Sequence, residues 1–334
     1  MRAAVLGAGS WGTTFAQVLC DAGVQTVLWA RSPATADGII SRHENPRYLP
    51  GLALNPALGA TTDVAAAMDG ADLVVFGVPA QTLRPCLTDW APLIPPGALL
   101  VSLLKGIELH TCKRMSEVIT EVLDVPASRV AVVSGPNLAR ELAERQLGAS
   151  VIACSDEANA QLVQGACNTS YLRPYWNTDV IGCELAGAIK NVIALAVGIG
   201  VALGLGDNTK AMLITRGLAE MARLGRVLGA DFRTFAGLAG MGDLVATCSS
   251  PLSRNRTFGQ HLGQGLTAEA AREVTGQTAE GATSYAPLLE LARKHGVEMP
   301  ITEVVAAVIT GDLPAREAAV ALMSRSAKPE WYDA

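Results

Sequence analysis

Apolar residues recur along this chain in two rhythms. In the first half they come as short unbroken runs: Ala3-Ala4-Val5-Leu6, residues 24–29, Leu73-Val74-Val75-Phe76, residues 99–103 and residues 129–133. Runs this short, rich in Val and Leu and closed by Gly, Pro or Ser, read as strands buried on both faces of a sheet. Between them, residues 83–93 and 112–123 have helical composition. Strands that alternate with helices predict βαβ units and a mainly parallel sheet. From about residue 179 the strand-like runs stop, and Ala/Leu/Gly-rich helical stretches take over at 183–205, 209–228, 287–295 and 300–309. The stretch 327–334 is expected to be loosely held.

The first strand runs directly into Gly7-Ala8-Gly9-Ser10-Trp11-Gly12, and residues 13–22 continue as a helix without Pro or Gly. This order suits a dinucleotide. One glycine makes the turn, the next admits a pyrophosphate and the third lets helix pack on strand. The helix N-terminus then offers free N–H groups to the phosphates. The expectation is therefore an α/β Rossmann-type N-terminal domain with a mainly parallel sheet over residues 1–178, and an all-α C-terminal domain over 179–334. Past the second strand, where an NAD site usually carries an acidic residue, stand Arg31 and Ser32. Arg31 suits a 2′-phosphate, so NADP is expected to be accepted; a solvated arginine at a strand end is the competing reading. Ligands on such sheets bind beyond the carboxyl ends of the strands, where residues 77–81, Lys105-Gly106 and 135–137 are expected to line one crevice.

Bulk properties narrow the rest. Hydrophobic residues make up 50% of the chain and aromatics 4%, an ordinary composition for a core of Ala, Val, Leu and Ile. A net charge of -5 argues against nucleic acid as a partner. The seven cysteines are scattered without a C-x-x-C pair, as in a reduced, cytoplasmic protein. His43, His110, His261 and His295 lie far apart, so no metal site is expected. The first strand begins almost at Met1, so no signal peptide is expected, and the apolar run 192–206 is shorter than a spanning helix. No integral membrane segment is expected.

Lys190 is the residue that most changes the picture. It stands in an apolar helical run with Gly187 and Ala186 at i−3 and i−4, which leave room beside it for a ligand. A partly desolvated lysine shifts its pKa down and exchanges protons; a lysine snorkelling to water is the alternative. Lys105 follows a strand in the expected crevice, where a cation would hold a carbonyl oxygen or a phosphate, unless it is a plain surface lysine. Asp243 lies in the glycine-flanked loop Ala239-Gly-Met-Gly-Asp243. The run Ser249 to Arg256 gathers hydroxyls, an amide and two guanidiniums ahead of a helix, a fitting set for phosphate or merely a cap.

In this order the stretches resemble the bacterial-type NAD(P)-dependent glycerol-3-phosphate dehydrogenase family. The resemblance is carried by Gly-Ala-Gly-Ser10-Trp11-Gly, Lys105-Gly106, Ser134-Gly135-Pro136, Glu184-Leu-Ala-Gly-Ala-Ile-Lys190-Asn191, Gly206-Asp-Asn-Thr-Lys-Ala, Gly240-Met-Gly-Asp243-Leu, Ser253-Arg254-Asn255 and Glu280-Gly281. It implies that Gly7, Gly9, Ser10, Trp11, Gly12, Arg31, Ala139 and Glu280 contact NAD(P)H, with Thr278 nearby. It further implies that Lys105 touches both cofactor and substrate, and that Gly135 and Asn137 line the substrate pocket. Lys190 becomes the acid/base, with Asp243 beside it. Ser253, Arg254 and Asn255 hold the substrate phosphate, and Arg254 also reaches the cofactor. Asn137 stands where the family usually has Ser or Thr, and Thr278 where a small aliphatic residue is common.

The implied reaction is reduction of dihydroxyacetone phosphate to sn-glycerol 3-phosphate, feeding glycerophospholipid synthesis, by a cytoplasmic homodimer. Two other readings stay open at this point. One is a 3-hydroxyacid or 6-phosphogluconate-type dehydrogenase, which also pairs such domains with a catalytic lysine. The other is a dinucleotide sensor without catalysis, which would have no use for Lys190.

Overall fold

Side chains along the buried strands alternate between two cores. Ala3 and Val5 pack with Leu73, Val75, Val101 and Val133 on one face, whereas Ala4 and Leu6 pack with Val74, Phe76, Leu100 and Val130 on the other. This period of two is what strands covered on both faces require. The computed structural model describes residues 1–276, 278–327 and 329–330. The expectation for the terminal stretch 327–334 falls largely outside them. The chain divides into two units, Met1–Leu104 with Met115–Val180, and Lys105–Arg114 with Ile181–Ala334.

The first unit is an eight-stranded sheet in the order β3-β2-β1-β4-β5-β6-β7-β8. Its strands are β1 (Arg2–Leu6), β2 (Gln25–Trp29), β3 (Gly59–Thr61), β4 (Leu73–Phe76), β5 (Leu99–Ser102), β6 (Val130–Ser134), β7 (Gly148–Ala153) and β8 (Leu172–Asn177). Neighbours run parallel except β6 and β7, which pair antiparallel through Val133 and Ile152. Helices α1 (Ser10–Asp21), α2 (Pro33–Arg42), α3 (Val64–Met68), α4 (Leu83–Trp90), α5 (Met115–Leu123), α6 (Ala139–Ala143) and α7 (Glu157–Ala166) complete it. The order reverses direction at β1 and β4, the switch point at which doubly wound sheets bind ligands.

Three strands carried no signal. β3 is three residues long, and β7 opens on Gly-Ala-Ser. β8 holds Pro174 with Tyr175 and Trp176 exposed, features that a sheet edge tolerates. The expected helix over 83–93 stops at Trp90 and closes as a 3-10 turn over Ala91–Leu93, which contains Pro92.

The second unit holds α8 (Val180–Ala202), α9 (Asp207–Val227), α10 (Phe232–Ala236), α11 (Asp243–Ser249), α12 (Arg254–Gly263), α13 (Ala268–Thr275), α14 (Gly281–Lys294), α15 (Pro300–Thr310) and α16 (Ala318–Met323). Among its described residues no strand occurs. The second apolar rhythm is a correction in one respect: α8 runs for 23 residues, long and apolar enough to cross a membrane. Every residue from 182 to 200 is nonetheless buried in this unit, so α8 is its core helix. Helix α14 begins six residues before Pro287, which sits inside it rather than at its start. Residues 105–114 pack with this unit although they follow β5 in the chain.

Candidate active site

Lys190 lies on α8 with 6% of its surface exposed, which excludes a side chain reaching for water. Its Nζ donates to Oδ1 of Asp243 at 2.6 Å and to Oγ1 of Thr247 at 2.7 Å. The second carboxylate oxygen of Asp243 accepts from Nζ of Lys105 at 2.6 Å. One buried carboxylate thus answers two ammonium groups. Burial draws the Lys190 ammonium down to about 8; the Lys105 cation adds to this, while the Asp243 carboxylate opposes it. A lysine poised there exchanges protons near neutral pH.

Local sequence explains how Asp243 arrives. It is the first residue of α11, directly after a π-helical turn over Leu238–Gly242. A Cβ on Gly240 would lie 2.1 Å from the carbonyl oxygen of Phe235, so the turn closes only with glycine there. Thr247 follows one turn along α11, and its hydroxyl also contacts Asp243 Oδ1 at 3.2 Å.

A chain of amides links this cluster to α12 and α14. Asn191 Nδ2 donates to the carbonyl of Lys105 at 3.1 Å, and Asn255 Nδ2 donates to Oδ1 of Asn191 at 2.9 Å. The backbone N–H of Gly281 then donates to Oδ1 of Asn255 at 2.9 Å. Helix α12 reaches α8 because Gly259 has no side chain: a Cβ would stand 2.2 Å from the carbonyl oxygen of Leu195. Ser253 caps α12, its Oγ accepting from the N–H of Arg256 at 3.2 Å. Arg254 opens the helix on its exposed side. Thr278 is exposed and Glu280 half-buried, immediately ahead of α14. Ser253, Arg254, Asn255, Lys105, Lys190 and Asp243, all named from sequence, therefore lie on the second unit. Asn191 and Thr247 were missed. Asn191 is the neighbour of Lys190 in the family-like run, but its contacts depend on residues far along the chain.

Gly7, Gly9, Ser10, Trp11, Gly12, Arg31, Gly135, Asn137 and Ala139 lie on the first unit. Gly7 has φ +126°, and a Cβ on Gly12 would lie 2.0 Å from the carbonyl oxygen of Gly7. Beside Gly9, by contrast, a Cβ would meet no atom within 4 Å, and no side chain caps α1. The turn therefore offers open space and the uncapped N-terminus of α1, which fits the pyrophosphate of NAD(P). Asn45, unnoticed in the sequence, braces the turn by donating to the carbonyl of Ala8 at 3.0 Å and to Thr13 Oγ1 at 2.9 Å. Thr14 Oγ1 bonds the carbonyl of Ala139 at 3.0 Å, seating α6 on α1. Arg31 is exposed beyond β2. Gly135, at φ +113°, and Asn137 follow β6. Asn137 Oδ1 accepts from Ser150 Oγ at 2.7 Å. Its Nδ2 and the indole nitrogen of Trp11 are buried without a hydrogen-bond partner, two donors available to a ligand.

Known proteins resemble the chain along its whole length. A family model described as NAD-dependent glycerol-3-phosphate dehydrogenase N-terminus matches residues 2–160, and its C-terminal counterpart matches residues 179–320. "Glycerol-3-phosphate dehydrogenase [NAD(P)+]" of Thermobifida fusca is 63% identical over 99% of each chain. The protein of that name from Streptomyces griseus is 60% identical over 99% of this chain and 98% of its own. A crystal structure of glycerol-3-phosphate dehydrogenase from Coxiella burnetii is 37% identical with a TM-score of 0.91, covering 97% of this chain and 99% of its own.

Proposed function

The chain belongs to the NAD-dependent glycerol-3-phosphate dehydrogenase family, and from that premise we propose that it reduces dihydroxyacetone phosphate reversibly to sn-glycerol 3-phosphate with NAD(P)H. The observation that carries the chemistry is the Lys190–Asp243–Lys105 cluster, in which one buried carboxylate holds both ammonium groups.

Carbonyl reduction needs a hydride at carbon and a proton at oxygen, and the bound reduced nicotinamide supplies the hydride. Lys190 gives its proton to the alkoxide oxygen and remains as the amine, hydrogen-bonded to Asp243 and Thr247. In the reverse direction that amine takes the hydroxyl proton. With both lysines protonated the cluster carries two positive charges against one negative. A developing oxyanion beside the two ammonium groups is attracted to both, so the cluster favours the transition state over the neutral carbonyl. Lys105 is the second cation in this role.

Arg254 and the first-turn N–H groups of α12 would bind the substrate phosphate, with Ser253 and Asn255 shaping that end. The Asn255 amide already serves Asn191 and Gly281, which leaves one Nδ2 hydrogen for the phosphate. Anchoring the unreactive phosphate orients the carbonyl. Gly135 and Asn137 are assigned to the substrate by family likeness. Gly7, Gly9, Ser10, Trp11, Gly12, Arg31, Ala139, Thr278 and Glu280 are assigned to the dinucleotide, with Lys105 and Arg254 touching it as well. A cytoplasmic location is supported by seven cysteines that form no disulfide among the described residues, and a homodimer by the family. The product would feed glycerophospholipid synthesis.

The test is a steady-state assay of the purified chain with dihydroxyacetone phosphate and either NADH or NADPH, with the product identified by mass spectrometry. Formation of glycerol 3-phosphate with both coenzymes is expected, since Arg31 suits a 2′-phosphate. Oxidation of a carboxylated hydroxyacid with no action on glycerol 3-phosphate would overturn the reading. Coenzyme binding without turnover of any phosphorylated substrate would favour a sensor.

A further inference from the structure

The segment that carries Lys105 is a closed strap. Ile107 and Arg114 bridge as antiparallel partners, and the N–H of Glu108 donates to the carbonyl of Lys113 at 2.9 Å. The N–H of Cys112 returns to the carbonyl of Glu108 at 3.1 Å, and His110 and Cys112 take left-handed backbone conformations to close the turn. Ile107 is wholly buried. A loop bonded across itself in this way is braced from one end to the other.

Both ends of the strap are tied to the same face of α8. At its start, the carbonyl of Lys105 accepts from Asn191 Nδ2 at 3.1 Å. At its end, Nη1 of Arg114 donates to Oε2 of Glu184 at 2.7 Å. Glu184 and Asn191 are seven residues apart, about two helical turns, so they stand on one stripe roughly 10 Å apart along the axis. Glu184 is 3% exposed. A carboxylate this buried, paired with a half-buried guanidinium, is poorly explained by stability alone, because desolvation offsets much of the attraction.

We propose that the Arg114–Glu184 pair is a positioning device for Lys105, tying the far end of the strap to α8 so that the Lys105 ammonium is held on Asp243 beside Lys190. Neither side chain is assigned a part in the proton or hydride transfer itself. The proposal rests on the reading that Lys105 and Lys190 act together at the substrate carbonyl.

The test uses the full chain with Arg114→Gln and Glu184→Gln combined, which removes the pair without changing net charge. The charged or titratable groups felt by Lys190 are Asp243, Lys105 and Cys248. Lys105 is the one among them that lowers its pKa, so a drifting Lys105 lets Lys190 rise. The expected result is a fall of about tenfold or more in kcat/KM for dihydroxyacetone phosphate. The rising limb of the pH profile for glycerol 3-phosphate oxidation should move up by about half a pH unit or more. Coenzyme Kd should change less than kcat/KM, and the single variant Arg114→Lys, which keeps the cation, should retain most of the parent activity and its limb. A double variant that melts earlier but keeps the parent kcat/KM and limb would overturn the proposal and leave the pair structural. Should the double variant not fold, Glu184→Asp decides. It keeps the charge and shortens the tether by one methylene, and an unmoved limb there would equally overturn the proposal. A parent protein inactive on dihydroxyacetone phosphate would instead count against the functional reading.

Discussion

Lys190 Nζ and Asp243 Oδ1 stand 2.6 Å apart inside the helical unit, 53 residues apart in the chain. The carboxylate is the hub, because its other oxygen holds Lys105 at the same distance. Removing its charge takes from both cations the one carboxylate that they share.

Asp243→Asn should therefore lower kcat by on the order of 10²-fold or more, the scale of a lost acid–base partner. The sign of the accompanying pH shift is fixed by the electrostatics. Asp243 raises the Lys190 pKa against burial, so its loss lets the lysine fall further below about 8. The rising limb of kcat/KM for glycerol 3-phosphate oxidation should move to lower pH. An unmoved limb would show that Asp243 does not govern this lysine.

Arg254 opens α12 beside capping Ser253. Arg254→Ala should raise KM for dihydroxyacetone phosphate by about 10- to 100-fold, the range for a lost charge-assisted contact. KM for the coenzyme should change less. Equal KM values in parent and variant would assign the phosphate elsewhere.

Glu220 gives a stability test away from the chemistry. Its carboxylate, buried on α9, caps α15 from another helix, accepting from the N–H of Ile301 at 2.6 Å and of Thr302 at 3.3 Å. Burial pushes it up to about 7, against the lowering effect of those donors. A raised acid contributes stability that is complete below its ordinary value of 4.5 and lost as pH rises through about 7. The melting temperature should accordingly decline across that window, and Glu220→Gln should flatten the decline. The same slope in both proteins would discount this carboxylate.

The glycine turn, the strand that feeds it and the helix that follows were legible because they are contiguous and each residue type has one local job. Lys190 stood out for a similar reason, as a charge in an apolar run. Asp243 and the Ser253–Asn255 run were visible as types, but only family likeness assigned them roles. The partners were not legible: Thr247, the Asn191–Asn255–Gly281 amides and the Arg114–Glu184 pair join residues distant in sequence, with no periodic signal. The same holds for residues 105–114, which follow a sheet strand yet pack with the helices. β7 and β8 escaped notice because polar and small residues suffice at the edge of a sheet whose centre is already covered.

The most direct measurement on Lys190 is the pH dependence of glycerol 3-phosphate oxidation by the parent and Lys190→Ala, with coenzyme binding followed by fluorescence. In the parent, kcat/KM is expected to climb through a limb near the lysine's value of about 8, where the amine form becomes available. The variant should bind coenzyme and lose about 10²- to 10⁴-fold in turnover, with no such limb. Near-parental rates in Lys190→Ala, or the same limb persisting in it, would remove this lysine from the reaction.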